Sequence, residues 1–295
     1  MHDFPKARRV AIISKPQKPE LAQIVPDLIS WLSAHALEAV ADPSTVPYLD
    51  GGFHPAVRIV ERGALAEQSL YFAIVLGGDG TLLAAARAVA RADVPILAVN
   101  LGSLGFLTEV RLEDLYPTLD AWCEGRITAD RRAMVRCEIV RDGRRIAQYE
   151  ALNDIIVAKG NIARLADLRV SLNGVFVANY MADGVIVASP TGSTAYSLAA
   201  GGPVVAPNLR AMVITPVSPH ALTNRPLVVA GASEILLTPN RAEQLFATAD
   251  GQEAHPIEMG DEVRCRLSEH DVQLIRLEQT SFFEVLRSKL KWGER

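Results

Sequence analysis

Residues 71–107 read "YFAIVLGGDGTLLAAARAVARADVPILAVNLGSLGFL", and this stretch constrains the fold more than any other. An apolar run ends in a turn crowded with glycine, and a helical pattern follows. A second apolar run and another glycine-bearing turn come next. The strands "AIVL" (73–76) and "PILAVN" (95–100) carry no polar alternation, so both of their faces must be covered. Two such strands joined by the helix "TLLAAARAVARA" (81–92) have to run parallel. The opening half of the chain is therefore expected to be a parallel sheet flanked by helices.

The pattern extends on either side. "VAIIS" (10–14) reads as another buried strand. "ELAQIVPDLISWLSAHAL" (20–37) places Leu21, Ile24, Val25, Leu28, Ile29 and Leu32 on one helical face. Pro26 lies inside it and is expected to kink or divide the helix. "RLEDLYPTLDAWCEG" (111–125) predicts a further helix, interrupted by Pro117. From about residue 132 the chain becomes a series of short strands. Asp142-Gly143 and Asn173-Gly174 are hairpin signals within it. The last segment, "SFFEVLRSKLKWGER", is helical again, with Phe282, Phe283, Leu286 and Leu290 aligned. The expected fold is an α/β N-terminal domain with a parallel sheet and an all-β, sandwich-like C-terminal domain. The terminal helix returns to the first domain. The expected boundaries are 1–128 with 275–295 for the α/β domain, and 129–274 for the β-rich one.

Composition narrows the function. The 295 residues suit two domains, and 49% hydrophobic content can build sizeable cores. A formal net charge of −4 offers no basic stripe for nucleic acid. No apolar run approaches the ~20 residues of a membrane helix. The start, "MHDFPKARRVAIIS", has no apolar signal core, so a cytoplasmic chain is expected. Cys123, Cys137 and Cys265 are isolated and form no metal-binding or disulfide spacing.

Two stretches carry chemistry. In an open parallel sheet, ligands bind beyond the carboxyl ends of the strands. Gly77-Gly78-Asp79-Gly80 falls at such an end, just before a helix. The bland reading is a tight turn with Asp79 or Thr81 capping the helix. Yet a carboxylate at a phosphate site repels phosphate unless it binds a cation or accepts a proton. That tension points to phosphoryl transfer, which needs a base beside the acceptor hydroxyl. The second stretch is "ADGVIVASPTGSTAYSLAAGGP" (182–203). Its hydroxyls at a helix start, with Ser193 or Thr194 as N-cap, suit either a simply capped helix or a ribose–phosphate ligand.

Together "GGDGT" (77–81), "LND" (152–154), "ADG" with "SPTGSTAYSLAAGGP" (182–203) and "FFEVLRSKLKWG" (282–293) resemble the NAD kinase family. The motifs stand in family order and span residues 77–293. "PTGSTAY" preceded by "ADG" is the specific part, since "GGDG" also resembles lipid kinases. The resemblance implies transfer of the γ-phosphate of ATP to the 2′-hydroxyl of the adenosine ribose of NAD. It makes Asp79 the base, with Gly77, Gly78 and Gly80 letting backbone approach the nucleotide. Asn153 and Asp154 would hold the adenosine end, and Asp183 the nicotinamide carboxamide. Met181 would lie near the nicotinamide or the product phosphate. Thr194, Ala195, Tyr196, Ser197, Leu198 and Ala199 would line the dinucleotide. Gln252, in "DGQ", is a further substrate contact or part of a plain hairpin turn. Arg164 suits the new 2′-phosphate, or is a solvated surface residue. His220 matches a family histidine near the substrate, although a lone histidine is more often structural.

The same resemblance implies Mg²⁺ with ATP as donor, NAD and ATP as partners, and a homodimer or homotetramer. It involves neither nucleic acid nor membrane. Three other readings compete. A lipid kinase of the diacylglycerol or sphingosine type would need no "PTGSTAY". An NAD-dependent oxidoreductase would need the G-x-G-x-x-G that is missing here. A dinucleotide sensor would bind without turnover.

Overall fold

The computed structural model describes residues 8–102, 105–160, 165–242, 244–276 and 281–291. The chain forms two compact units, residues 1–131 with 272–295 and residues 132–271.

The first unit is built on parallel strands. They are β1 (Arg8–Ser14), β2 (Leu37–Ala41), β3 (Val57–Ile59), β4 (Leu70–Gly77), β5 (Pro95–Asn100) and the short β6 (Val110–Arg111). Their order is β3-β2-β1-β4-β5, with β6 also on β5, and every pairing is parallel. The apolar runs are buried as two-faced strands must be: Val10 to Ile13 and Phe72 to Leu76 are fully inaccessible. Helix α1 (Leu21–Ala34) buries Leu21, Val25, Leu28, Ile29 and Leu32 against this sheet. Each such side chain contributes roughly 1.5–3 kcal/mol.

Pro26 does not divide α1, contrary to the sequence expectation. It sits in the second turn, on a half-buried position, and the core stripe continues through it. Helix α2 (Asp79–Val89) starts two residues earlier than the pattern suggested. The 111–125 segment begins as β6 and a single 3₁₀ turn, so α3 covers only Leu115–Cys123.

The second unit is almost wholly antiparallel. One sheet runs β14-β13-β12-β9-β16-β17, formed by Leu227–Ala230, Ala211–Val217, Gly184–Ala188, Asp154–Lys159, Leu245–Ala249 and Glu253–Ile257. The other contains β11 (Val175–Ala182), β10 (Ala166–Leu172), β15 (Ile235–Pro239) and β18 (Glu262–Ile275). In it β7 (Ala129–Arg141) and β8 (Arg144–Ala151) form a hairpin. One apolar core lies between strands of both sheets, including Val157, Val185, Leu168 and Leu237. Asn173 and Gly174 have φ of 50° and 78°, the left-handed pair of a tight hairpin between β10 and β11. The only α-helix among the described residues of this unit is the four-residue α4 (Tyr196–Ala199). The chain then re-enters the first unit and ends in α5 (Phe282–Leu290). Ser281 and Glu284 close a capping box there, and Val285 and Leu286 are buried.

Candidate active site

In the first unit the carboxyl ends of β1, β4 and β5 lie side by side. β4 hands over to α2 through Gly77 and Gly78, and Gly78 is the N-cap with no side-chain cap bond. Neither Asp79 nor Thr81 is therefore the cap. Asp79 is the first helical residue, and its carboxylate faces the loop after β5 instead. Oδ1 accepts from Leu107 N at 3.2 Å, Thr108 N at 3.0 Å and Thr108 Oγ1 at 2.9 Å. Oδ2 accepts from Phe106 N at 2.9 Å. A Cβ on Gly105 would come within 2.1 Å of Asp79 Oδ1, so only glycine lets this loop close over the carboxylate. Asn100 Nδ2 donates to Thr108 Oγ1 at 3.2 Å and supports the loop from β5.

A carboxylate has about four lone-pair sites. Three bonds occupy Oδ1 and one occupies Oδ2 among the described residues, so Oδ2 is the oxygen with room for another donor. A cavity of about 220 Å³ at the same strand ends is lined by Lys15, Lys18, Gly77, Gly78, Asn100, Leu101 and Gly102. A neighbouring hollow of about 450 Å³ shares Asn100–Gly102 and reaches Glu20 and Arg111–Glu113. The sequence reading missed the 106–108 loop, Thr108 and both lysines. Their signal was position alone: each follows the carboxyl end of a parallel strand.

In the second unit three sequence-distant segments meet at one end of β9, β12 and β16. Asp250, at φ 50°, accepts from the backbone N–H of Leu152 at 3.1 Å, Asn153 at 2.8 Å and Asp154 at 3.3 Å. Ser189 Oγ donates to Leu152 O at 2.5 Å and accepts from Gly192 N at 3.1 Å. A Cβ on Gly192 would stand 2.0 Å from Asn153 O, so this glycine is fixed by close approach. Asn153, Asp154, the 191–199 segment and the Asp250–Gln252 turn are thus brought together. Gln252 is exposed on that turn.

The Asp154 carboxyl is buried, and burial together with the nearby Asp250 charge raises its pKa to about 7. It is therefore largely neutral below that pH, able to donate as well as accept. Asp250, which the sequence reading used only as part of a turn, is what organises this corner.

The helix expected to start at Ser193 or Thr194 is a 3₁₀ turn (Thr191–Thr194) followed by α4. Neither residue is an N-cap. Ser193 Oγ donates to Pro190 O at 2.6 Å and accepts from Val205 N at 2.9 Å, while Thr194 Oγ1 donates to Thr191 O. Ser197 shares a bond with Thr215, and Tyr196 is 46% exposed.

Asp183 and Met181 do not join this group. They precede β12, whereas Ser189 follows it six residues later, roughly 20 Å along an extended strand. At that far end Asp183 Oδ1 pairs with Lys159 Nζ at 2.5 Å, and His220 N donates to Met181 O at 2.8 Å. Arg164 lies outside the described residues.

Two family models match the chain: the ATP-NAD kinase N-terminal domain over residues 10–127 and the ATP-NAD kinase C-terminal domain over residues 152–277. The chain is 53% identical over 289 residues to the NAD kinase of Acidobacterium capsulatum, covering 98% of this chain and 100% of that protein. Its fold is similar to the crystal structure of yeast NADH kinase complexed with NADH, with a TM-score of 0.90 and 25% identity. That match covers 98% of this chain and 89% of the yeast one. An NAD kinase from Archaeoglobus fulgidus in complex with ATP is similar at a TM-score of 0.75 and 26% identity, covering 96% of this chain and 98% of that one.

Proposed function

The chain belongs to the NAD kinase family, and from that premise we propose how its residues phosphorylate NAD with ATP as donor. Asp79 is the general base. Its Oδ2 takes the proton of the adenosine ribose 2′-hydroxyl as that oxygen attacks the γ-phosphorus. The bond from the γ-phosphorus to the β–γ bridging oxygen breaks, and ADP leaves. NADP and ADP are the products. The observation that carries this role is the one-sided engagement of the carboxylate. Oδ1 is held by three bonds, and Oδ2 by one. Such a base is oriented before substrate arrives. Incubation with NAD, ATP and magnesium tests the reading. NADP formation is expected, and its absence from folded protein would contradict it.

Asn153 and Asp154 hold the adenosine ribose in this reading, with the 194–199 segment lining the dinucleotide. Below about pH 7, where it is protonated, the Asp154 carboxyl can donate to a hydroxyl partner as well as accept from it, and above that pH the carboxylate can still accept. Asp183 is assigned to the nicotinamide carboxamide, and Arg164 and Gln252 to further substrate contacts.

Among the described residues no group of three or more His, Cys, Asp or Glu side chains could hold a metal ion. Mg²⁺ with ATP belongs to the proposal through the family resemblance, and it would be held largely by the donor's own phosphates and by water. When bound, the ion neutralises charge on the β- and γ-phosphate oxygens.

A homodimer or homotetramer belongs to the same proposal. It is supported by the exposed Tyr196, Leu222 and Val228 of the second unit. Light scattering that finds an active monomer would overturn it. A cytoplasmic setting is supported by three cysteines that are all free. No helix among the described residues is long and apolar enough to cross a membrane.

A further inference from the structure

We propose that Arg276 is a positioning residue for the base: through Glu109 it pins the loop whose donors hold the Asp79 carboxylate. The inference rests on the kinase reading of Asp79 and adds to it a residue that acts only through others.

The loop after β5 is tied at successive points. Phe106, Leu107 and Thr108 spend their backbone N–H groups on Asp79. Gly105 N donates to Thr108 O at 3.3 Å and closes the turn. Val110, buried, opens β6 and pairs with Val99 of β5. Glu109 stands between these two anchors. Its side chain is 9% exposed, and a carboxylate so placed needs a partner. Arg276 supplies one. Its Nε donates to Glu109 Oε2 at 2.8 Å, and its Nη2 lies 2.8 Å from the same oxygen.

Arg276 is itself fixed. It follows directly on β18, whose Leu274 and Ile275 are buried and whose Leu274 pairs in parallel with Ile96 of β5. Its backbone N–H donates to Thr128 O at 3.5 Å, and its Nη1 donates to Asp130 Oδ2 at 3.3 Å. One guanidinium, 17% exposed, thereby joins the 128–130 segment to the loop at residue 109. Glu109, Thr128, Asp130 and Arg276 all belong to the first unit. A planar fork of fixed donors suits this task, since it addresses two carboxylates at once.

Burial separates this pair from its neighbour in sequence. The Arg111–Glu113 pair is 68% and 71% exposed, and water screens it. Taking the guanidinium from Glu109 instead raises the cost of keeping that carboxylate out of water, and its backbone relaxes toward solvent. The residue next to it is Thr108, which gives Asp79 both its N–H and its hydroxyl. A displacement at Glu109 is therefore felt at the base, where small errors of placement are costly to the rate.

The test uses the full-length protein with Arg276→Gln, Arg276→Lys, Glu109→Gln and the double variant Glu109→Gln with Arg276→Gln. Arg141→Gln is the control, since it removes an equally close ion pair, with the buried Asp261 of the second unit. In Arg276→Gln, kcat per folded enzyme should fall about five- to twentyfold, with the KM for NAD and for ATP within about twofold. Arg276→Lys keeps the charge and should fall between that variant and the parent. The double variant should be no worse than the worse single one. Arg141→Gln should keep kcat within about twofold. Hydrogen exchange reads the loop without turnover: amides 106–108 should lose at least about tenfold of their protection in Arg276→Gln, while those of β4 keep theirs. Should Arg276→Gln not fold, Arg276→Lys and Glu109→Gln carry the same comparison. An unchanged kcat would overturn the proposal, as would a rise in KM alone, an equal fall in Arg141→Gln, additive losses in the double variant or unchanged exchange at 106–108. If the unaltered protein makes no NADP, the kinase reading fails, and the exchange measurement still decides whether Arg276 positions the loop.

Discussion

Thr108 donates both its backbone N–H and its hydroxyl to one oxygen of Asp79, at 3.0 and 2.9 Å. This double contact ties the loop after β5 to the first residue of α2. It also loads Oδ1 with three donors, while Oδ2 accepts one, from Phe106 N. Thr108→Val keeps the shape and the N–H bond but removes the hydroxyl. We expect kcat to fall about three- to tenfold with both KM values nearly unchanged, as for loss of one hydrogen bond of ~1 kcal/mol at a positioned base. Steady-state kinetics check this. A rise in KM with kcat intact would assign Thr108 to binding instead.

Asp154 couples the second cluster to pH. Its folded pKa, about 7, lies above the ordinary carboxylate value of 3.8. Between those values the folded state holds a proton that the unfolded chain has lost. This group's contribution to stability therefore falls as pH rises from about 4 to 7, by an amount on the order of a few kcal/mol. Asp154→Asn is neutral throughout and should flatten that slope, leaving the variant more stable than the parent at pH 8. Denaturant midpoints at pH 5 and pH 8 measure it. Parallel slopes in both proteins would contradict the assignment.

Asp183 faces a choice between substrate and Lys159. If it accepts from the carboxamide, Asp183→Ala raises the KM for NAD by a factor corresponding to about 1–3 kcal/mol while the KM for ATP stays put. If it serves only the ion pair with Lys159, then Asp183→Ala and Lys159→Ala behave alike, and the double variant is no worse. A double-mutant cycle on the KM for NAD separates the two outcomes.

Some of this was legible in the sequence for simple reasons. "VAIIS", "AIVL" and "PILAVN" are apolar on both faces, and only a covered parallel sheet accommodates such strands. Asn173-Gly174 announces its hairpin because both residues accept positive φ. Other features were hidden by chain distance. Asp79 meets residues 27 to 29 positions away, and Asp250 organises backbone 96 to 98 positions earlier. No local pattern encodes either contact. Ser193 looked like an N-cap because serine before a helical run usually is one. Here the helix is a single turn, and the hydroxyl is used by Pro190 and Val205 instead. Pro26 broke a propensity rule that the packing of α1 overrides. Lys15 and Lys18 carry no motif, and only the folded sheet places them beside Gly78.

Asp79→Asn tests the central claim most directly. Asparagine keeps the size of the side chain and retains an acceptor toward Thr108, but it cannot take the ribose proton. The rate of NADP formation from NAD and ATP by the purified, folded variant is the measurement. A fall of at least ~10²-fold in kcat, with NAD affinity within several-fold of the parent, is the predicted result. Near-parental turnover by Asp79→Asn would contradict the assignment of Asp79 as the base.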